Sequence, residues 1–171
     1  MEDNYQPPFE VTDDILASNG QRFLNVVIDY VMRLIIFGII GFIAGLLSVL
    51  FDAPGIVTFF AEMGKLQEFT LGIFLILIYY NVFEAFFSTT VGKLITKTIV
   101  VDENGDKPTS HAILLRTICR LIPFDALSFF GSPCRGWHDS LAKTYVVKKE
   151  ELAIKKELFY SFKEIGKTEE L

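Results

Sequence analysis

The chain has 171 residues, 51% of them hydrophobic and 14% aromatic, with 17 Phe. A net charge of −5 without a large basic patch excludes phosphate-backbone recognition, so no nucleic-acid partner is expected. Two cysteines and two histidines without metal-type spacing exclude a disulfide framework and a zinc site, and no metal or other cofactor is expected.

Residues 1–21 (MEDNYQPPFEVTDDILASNGQ) carry acids and Pro7–Pro8 and show no hydrophobic period. They read as a cytosolic tail, mobile or packed on a neighbouring surface. No cleavable leader is expected, because the basic-then-apolar pattern is missing. Thr12–Asp14 or Ser18–Asn19 can cap a helix leading into Arg22.

A membrane domain is predicted over 22–148. Its first span, about 23–51, contains 18 uncharged residues from Leu34 to Phe51. At helical rise that run covers about 27 Å, close to the hydrocarbon thickness of a bilayer. Arg22, Asp29 and Arg33 lie at i, i+7 and i+11 and share one stripe of this helix. Ionisable groups at the edge of a span are costly unless paired or hydrated, so the stripe is a candidate site. Gly41 and Gly45 form a GxxxG pair about 120° around the helix, with Gly38 and Ser48 nearby. They predict a close helix contact, with the second span or with a second subunit.

Residues 52–68 (DAPGIVTFFAEMGKLQE) read as an external loop. Pro54–Gly55 ends the helix, and VTFFAEMGKLQE has the pattern of a short interfacial helix. Its acids, set against Arg22, Arg33, Lys93 and Lys97 elsewhere, place both termini in the cytoplasm by the positive-inside rule. The second span is expected over about 69–92, with Glu84 as its one charge before Gly92. Asn81, Glu84 and Ser88 share a face there, making Glu84 either an interfacial residue or a partner for an arginine.

The echo KTIVV (97–101) and KTYVV (143–147), with a turn signal at Glu103–Asp106, predicts two short cytosolic strands that pair. Between them lies a third apolar block, 111–130, which contains Arg116, Arg120, Pro123 and Asp125. It is too charged and broken for an ordinary span and is expected to be interfacial or re-entrant. In the segment after it, Trp137 suits the membrane interface. Asp139 is the favoured functional group there and His138 its exposed neighbour, since adjacent helical residues do not face each other. Residues 149–171 mix Lys and Glu with apolar positions and predict an amphipathic helix or frayed tail. The fold class is therefore an all-α membrane protein with two transmembrane helices, a third re-entrant or interfacial segment and a small β pairing.

Arg22 with Asp29, GKLITKTIVVDENGD (92–106), HAILLRTICR (111–120) and WHDSLAKTYVV (137–147) resemble the RDD family of small bacterial membrane proteins. The family's arginine and two aspartates correspond to Arg22, Asp29 and Asp139. The resemblance implies a multi-pass protein of the bacterial inner membrane and, from some members, cation/proton antiport.

Two functions are compatible with these residues. In an exchanger, Asp29, Asp139 and Glu84 are the candidate sites at which a monovalent cation and a proton compete, with Arg22, Arg116 and Arg120 as counter-charges. Two spans offer little wall for a pathway, so this reading calls for a homo-oligomer. In a non-transporting scaffold or accessory subunit, the same residues form a structural ion-pair network. No nucleophile–base pair or phosphate-binding loop is present in the sequence, and enzymatic activity is not expected.

Overall fold

The computed structural model describes residues 8–131 and 134–168. Helix α1 (Asn19–Leu50) starts at a capping box, in which the Ser18 hydroxyl accepts from Gln21 N and the Gln21 side chain from Ser18 N. It continues for 32 residues, about 48 Å, enough to cross a bilayer with several turns to spare. Helix α2 (Gly55–Ala61) is a short turn in the connecting loop, and α3 (Lys65–Phe87) returns. Both α1 and α3 are long and apolar enough to span, and only 6% and 17% of their most apolar windows are buried. Phe37, Phe42, Val49 and Phe74 face outward. A water-soluble domain would bury such helices; a bilayer solvates them as they stand.

The second span differs from its expected limits of 69–92. It begins at Lys65, so the loop helix is confined to Gly55–Ala61, and it ends at Phe87. Ser88 adopts a left-handed conformation (φ 53°) that stops the helix. Thr90 then caps a new short helix, α4 (Val91–Ile95), accepting from Lys93 N.

Strand β1 (Thr98–Val101) pairs antiparallel with β2 (Tyr145–Lys148), Thr98 opposite Lys148 and Val101 opposite Tyr145. After β1 the chain reverses over Asp102–Asp106, where the Asp102 carboxylate accepts from Asn104 N and Asp106 N and Gly105 takes φ 71°. The segment before α1 docks on the other side of β2: Leu16 bridges to Val147 and Ala17 N donates to the Val146 carbonyl. Phe9, Ile15 and Leu16 join Val101, Val147 and Leu152 in a small apolar core. Leu152 comes from α7 (Lys149–Thr168), which follows β2 directly.

The third apolar block breaks into α5 (Ser110–Cys119) and a 3₁₀ turn, Asp125–Phe130. Ten helical residues cover about 15 Å, half of a hydrocarbon core, so α5 cannot cross. Both ends of the block return to the paired strands, and Leu121, Phe124, Leu127 and Phe130 are exposed along it. Helix α6 (Trp137–Leu141) completes this layer.

The expected contact of the glycine face with the second span is absent. A Cβ built on Gly38, Gly41 or Gly45 meets nothing within 4 Å. The main neighbour of α1 is α4, and its hydrogen bonds to α3, Asp29 with Tyr79 and Arg33 with Tyr80, lie towards the strand end. At that end Gly92 brings α4 against α1, where a Cβ would stand 2.6 Å from the Asn25 carbonyl oxygen.

Candidate functional site

The charged residues of all three apolar segments converge at the strand end of the spans. Arg22 of α1 donates to Oδ2 of Asp139 on α6. Arg116 of α5 donates to Oδ1 of the same carboxylate and, through Nε at 3.1 Å, to Oε2 of Glu84 on α3. Glu84 Oε1 accepts from Lys93 Nζ at 2.5 Å and from Arg120 at 2.7 Å. One unbroken chain of ion pairs thus runs Arg22–Asp139–Arg116–Glu84 to Lys93 and Arg120, joining α1, α6, α5, α3 and α4. Glu84, Arg116 and Asp139 are each 0% exposed. At this depth only mutual pairing makes charge tolerable.

Local structure fixes each member. Thr109 caps α5, accepting from Ala112 N and setting the helix phase that turns Arg116 inward. Thr144, just before β2, accepts from Arg116 through its hydroxyl. Its backbone N donates to the Asp139 carbonyl at 2.9 Å. The Arg120 guanidinium stacks 3.7 Å from the Tyr80 ring centroid while its NH2 serves Glu84.

Asp29 belongs to a different set, which corrects the stripe reading. Arg22 does not pair with it, and neither does Arg33, which donates to the Tyr80 hydroxyl at 2.9 Å. Seven residues of helix separate Arg22 from Asp29 by about 10 Å along the axis, too far for contact despite the shared stripe. Asp29 instead accepts from the Tyr79 hydroxyl (2.8 Å), the Thr90 hydroxyl (2.7 Å) and Gly92 N (2.8 Å). All three donors are neutral.

His138 is likewise not an exposed neighbour. It is 8% exposed, its ring Nδ1 lies 2.6 Å from Asp125 Oδ2, and its backbone N donates to Asp125 Oδ1 at 2.9 Å. Its Nε2 stands 3.4 Å from Asp139 Oδ1, so the imidazole bridges two carboxylates. Side chains one step apart diverge on a long helix. Here Gly136 opens a short turn around which the ring folds back, close enough that a Cβ on Gly136 would meet it at 2.9 Å.

Burial opposes ionisation of Asp139, but Arg116 and Arg22 outweigh it and hold the carboxyl well below its usual range. Burial pushes Lys93 down to about 8, with Glu84 pulling against it. Burial also lowers the His138 imidazole, although Asp139 and Asp125 favour its charged form.

A cavity of about 40 Å³ lies within this layer, lined by Arg22, Asn25, Asp29, Lys93, Arg120 and His138 among others. Around it, Arg22 Nε and Arg120 NH1 are buried without a partner among the described residues, as is Arg116 NH2 deeper in the network. No group of His, Cys, Asp and Glu among the described residues is arranged to hold a metal ion.

The structure thus brings Arg22, Glu84, Arg116, Arg120 and Asp139 into one network, sets Asp29 beside it, and leaves Gly41 and Gly45 apart. Lys93, Tyr79, Tyr80, Thr90 and Gly92 also belong to this site, and no motif in the sequence marks them for it. The one available signal was the run Ser88–Gly92 (STTVG), too polar and β-branched to end an ordinary span. No curated protein and no solved structure matches the chain. The sequence profile of the RDD family matches residues 16–144, the stretch that holds every ionisable member of this network. With that match over most of its length and two exposed apolar helices of spanning length, the chain is a membrane-type protein that belongs to the RDD family.

Proposed function

We propose that this domain acts as a membrane-anchored scaffold, a non-transporting accessory module that presents a rigid strand-and-helix layer at the cytosolic face. The observation that carries this reading is the saturation of both network carboxylates. Each oxygen of Asp139 faces an arginine, and Glu84 faces two arginines and a lysine. No oxygen of either is left for a travelling cation. Removing one member of such a buried set costs about 3–5 kcal/mol, which makes the network a strong positional lock. A bilayer is the one partner this reading requires. The charge bias of the loops supports cytosolic termini.

Asp29 favours a second reading, monovalent cation/proton exchange. It is the one carboxylate of the family set held by neutral donors alone, and it lines the cavity. A proton or a cation there would balance its charge. The two spans touch mainly at one end, so an enclosed path would need an oligomer. Proteoliposomes with an imposed pH gradient test the two readings. The scaffold predicts no Na⁺-, K⁺- or Li⁺-dependent dissipation above empty vesicles; coupled dissipation by the wild-type protein would overturn it.

A further inference from the structure

We propose that the cavity between Arg22, Lys93 and Arg120 is a binding site for one small monovalent inorganic anion of halide size. Three observations converge on it. Arg22 lines the cavity, is 4% exposed, and keeps Nε without a partner; Arg120 lines it too, with NH1 likewise unpartnered. Buried guanidinium N–H groups are strong donors, and leaving them unmet is costly, so a matching acceptor is expected between them. The second observation is charge. Of the residues that line the cavity, Arg22, Lys93 and Arg120 carry three positive charges against the single negative charge of Asp29. A small anion is favoured on that wall.

The third is size and polarity. About 40 Å³ holds roughly three waters or a single halide, and excludes bulky organic anions. Asp29 also lines the space, but Tyr79, Gly92 and Thr90 already occupy its two oxygens. Lys93 and Arg120 face Glu84 on one side, and their charge extends to the cavity on the other. The proposal goes beyond the scaffold reading, which assigns this cavity no ligand.

The test uses the full-length protein in detergent, with its melting temperature followed as sodium chloride or bromide replaces sodium gluconate at fixed ionic strength and pH. Binding predicts a rise in Tm that grows with the logarithm of halide concentration once the site fills, and none in gluconate. Crystals grown in bromide should carry one anomalous peak between Arg22 and Arg120. Arg22→Lys keeps the charge facing Asp139 but lacks the free Nε, and Val26→Phe adds bulk to the cavity wall. Each should remove at least half of the halide-dependent shift. Identical melting in all three salts would overturn the proposal, as would a shift unchanged in both variants or bromide-grown crystals with only water in the cavity.

Discussion

Arg22 and Asp139 lie 117 positions apart in the chain and meet as a fully buried ion pair that fastens the first span to α6. Arg22 pairs with no acid of its own helix, and on α6 Asp139 meets only the His138 ring at 3.4 Å and Gly136 N at 3.3 Å. Arg22→Gln should leave Asp139 with Arg116 as its one arginine, and Asp139→Asn should leave two buried guanidinium groups short of an acceptor. Each single change is expected to cost about 3–5 kcal/mol of stability. In a double-mutant cycle read by thermal unfolding in detergent, the pair should show coupling of at least about 1 kcal/mol. Strict additivity would mean that the two residues do not depend on each other.

Gly92 tests how closely α4 must approach α1. A methyl group there would stand 2.6 Å from the Asn25 carbonyl oxygen and 3.0 Å from Asp29 Oδ1. Backbone cannot yield as a flexible side chain can, so Gly92→Ala should destabilise by about 1–3 kcal/mol. Gly41→Ala and Gly45→Ala, with open space around them, should be close to neutral in the monomer. A change in detergent-solubilised mass for those two, without loss of monomer stability, would assign the glycine face to a second copy.

The pH response should run through His138. Burial lowers its pKa in the folded protein below the ordinary 6.5, so over that window the unfolded chain binds more protons than the folded one. Stability from this residue is therefore present above pH 6.5 and lost as pH falls through the folded value. Thermal unfolding between pH 5 and 8 should record that decline, and His138→Gln should flatten it. A His138→Gln profile that tracks wild type would locate the pH sensitivity elsewhere.

Membrane orientation is open to a direct measurement. In a variant lacking Cys119 and Cys134, a single cysteine at Gln67 should react with an impermeant thiol reagent applied to whole cells, while one at Asn104 should not. Reaction at Asn104 from outside would reverse the orientation derived from the loop charges.

How much of this was legible in the sequence depended on the range of the physical cause. Spans, the Ser18 cap and the β pairing follow from local composition, hydrogen-bonding chemistry and a repeated five-residue pattern, and the structure contains all three. Partner choice did not follow. Arg22, Asp29 and Arg33 share a helical stripe, yet each is completed from elsewhere: by α6, by α3 with α4, and by Tyr80. A stripe gives direction but not depth or reach, and the polar run Ser88–Gly92 marks a break in the span without specifying that Thr90 and Gly92 come under Asp29. The contact of the GxxxG face with the second span is absent for a related reason. Small residues permit a close approach, but α4 rather than α3 became the near neighbour of α1.

The substitution that separates the two functional readings is Asp29→Asn. Its three donors are neutral, so the amide leaves no cation unpaired, in contrast to Asp139→Asn. The remaining carbonyl oxygen can still accept from Tyr79 and Gly92, and the Thr90 hydroxyl can rotate to accept from the new NH2. The expected loss is about 1 kcal/mol, the scale of one ordinary hydrogen bond, and the variant should fold. A folded Asp29→Asn protein therefore isolates the carboxylate's charge from its architecture. On the scaffold reading, expression, mass and unfolding temperature stay near wild type and neither protein dissipates a pH gradient in vesicles. On the exchange reading, wild type couples Na⁺, K⁺ or Li⁺ to proton movement and the folded variant does not. Should Asp29→Asn instead unfold as readily as Asp139→Asn, the neutral-donor account of Asp29 would be wrong, because only the loss of a charged partner carries so large a penalty.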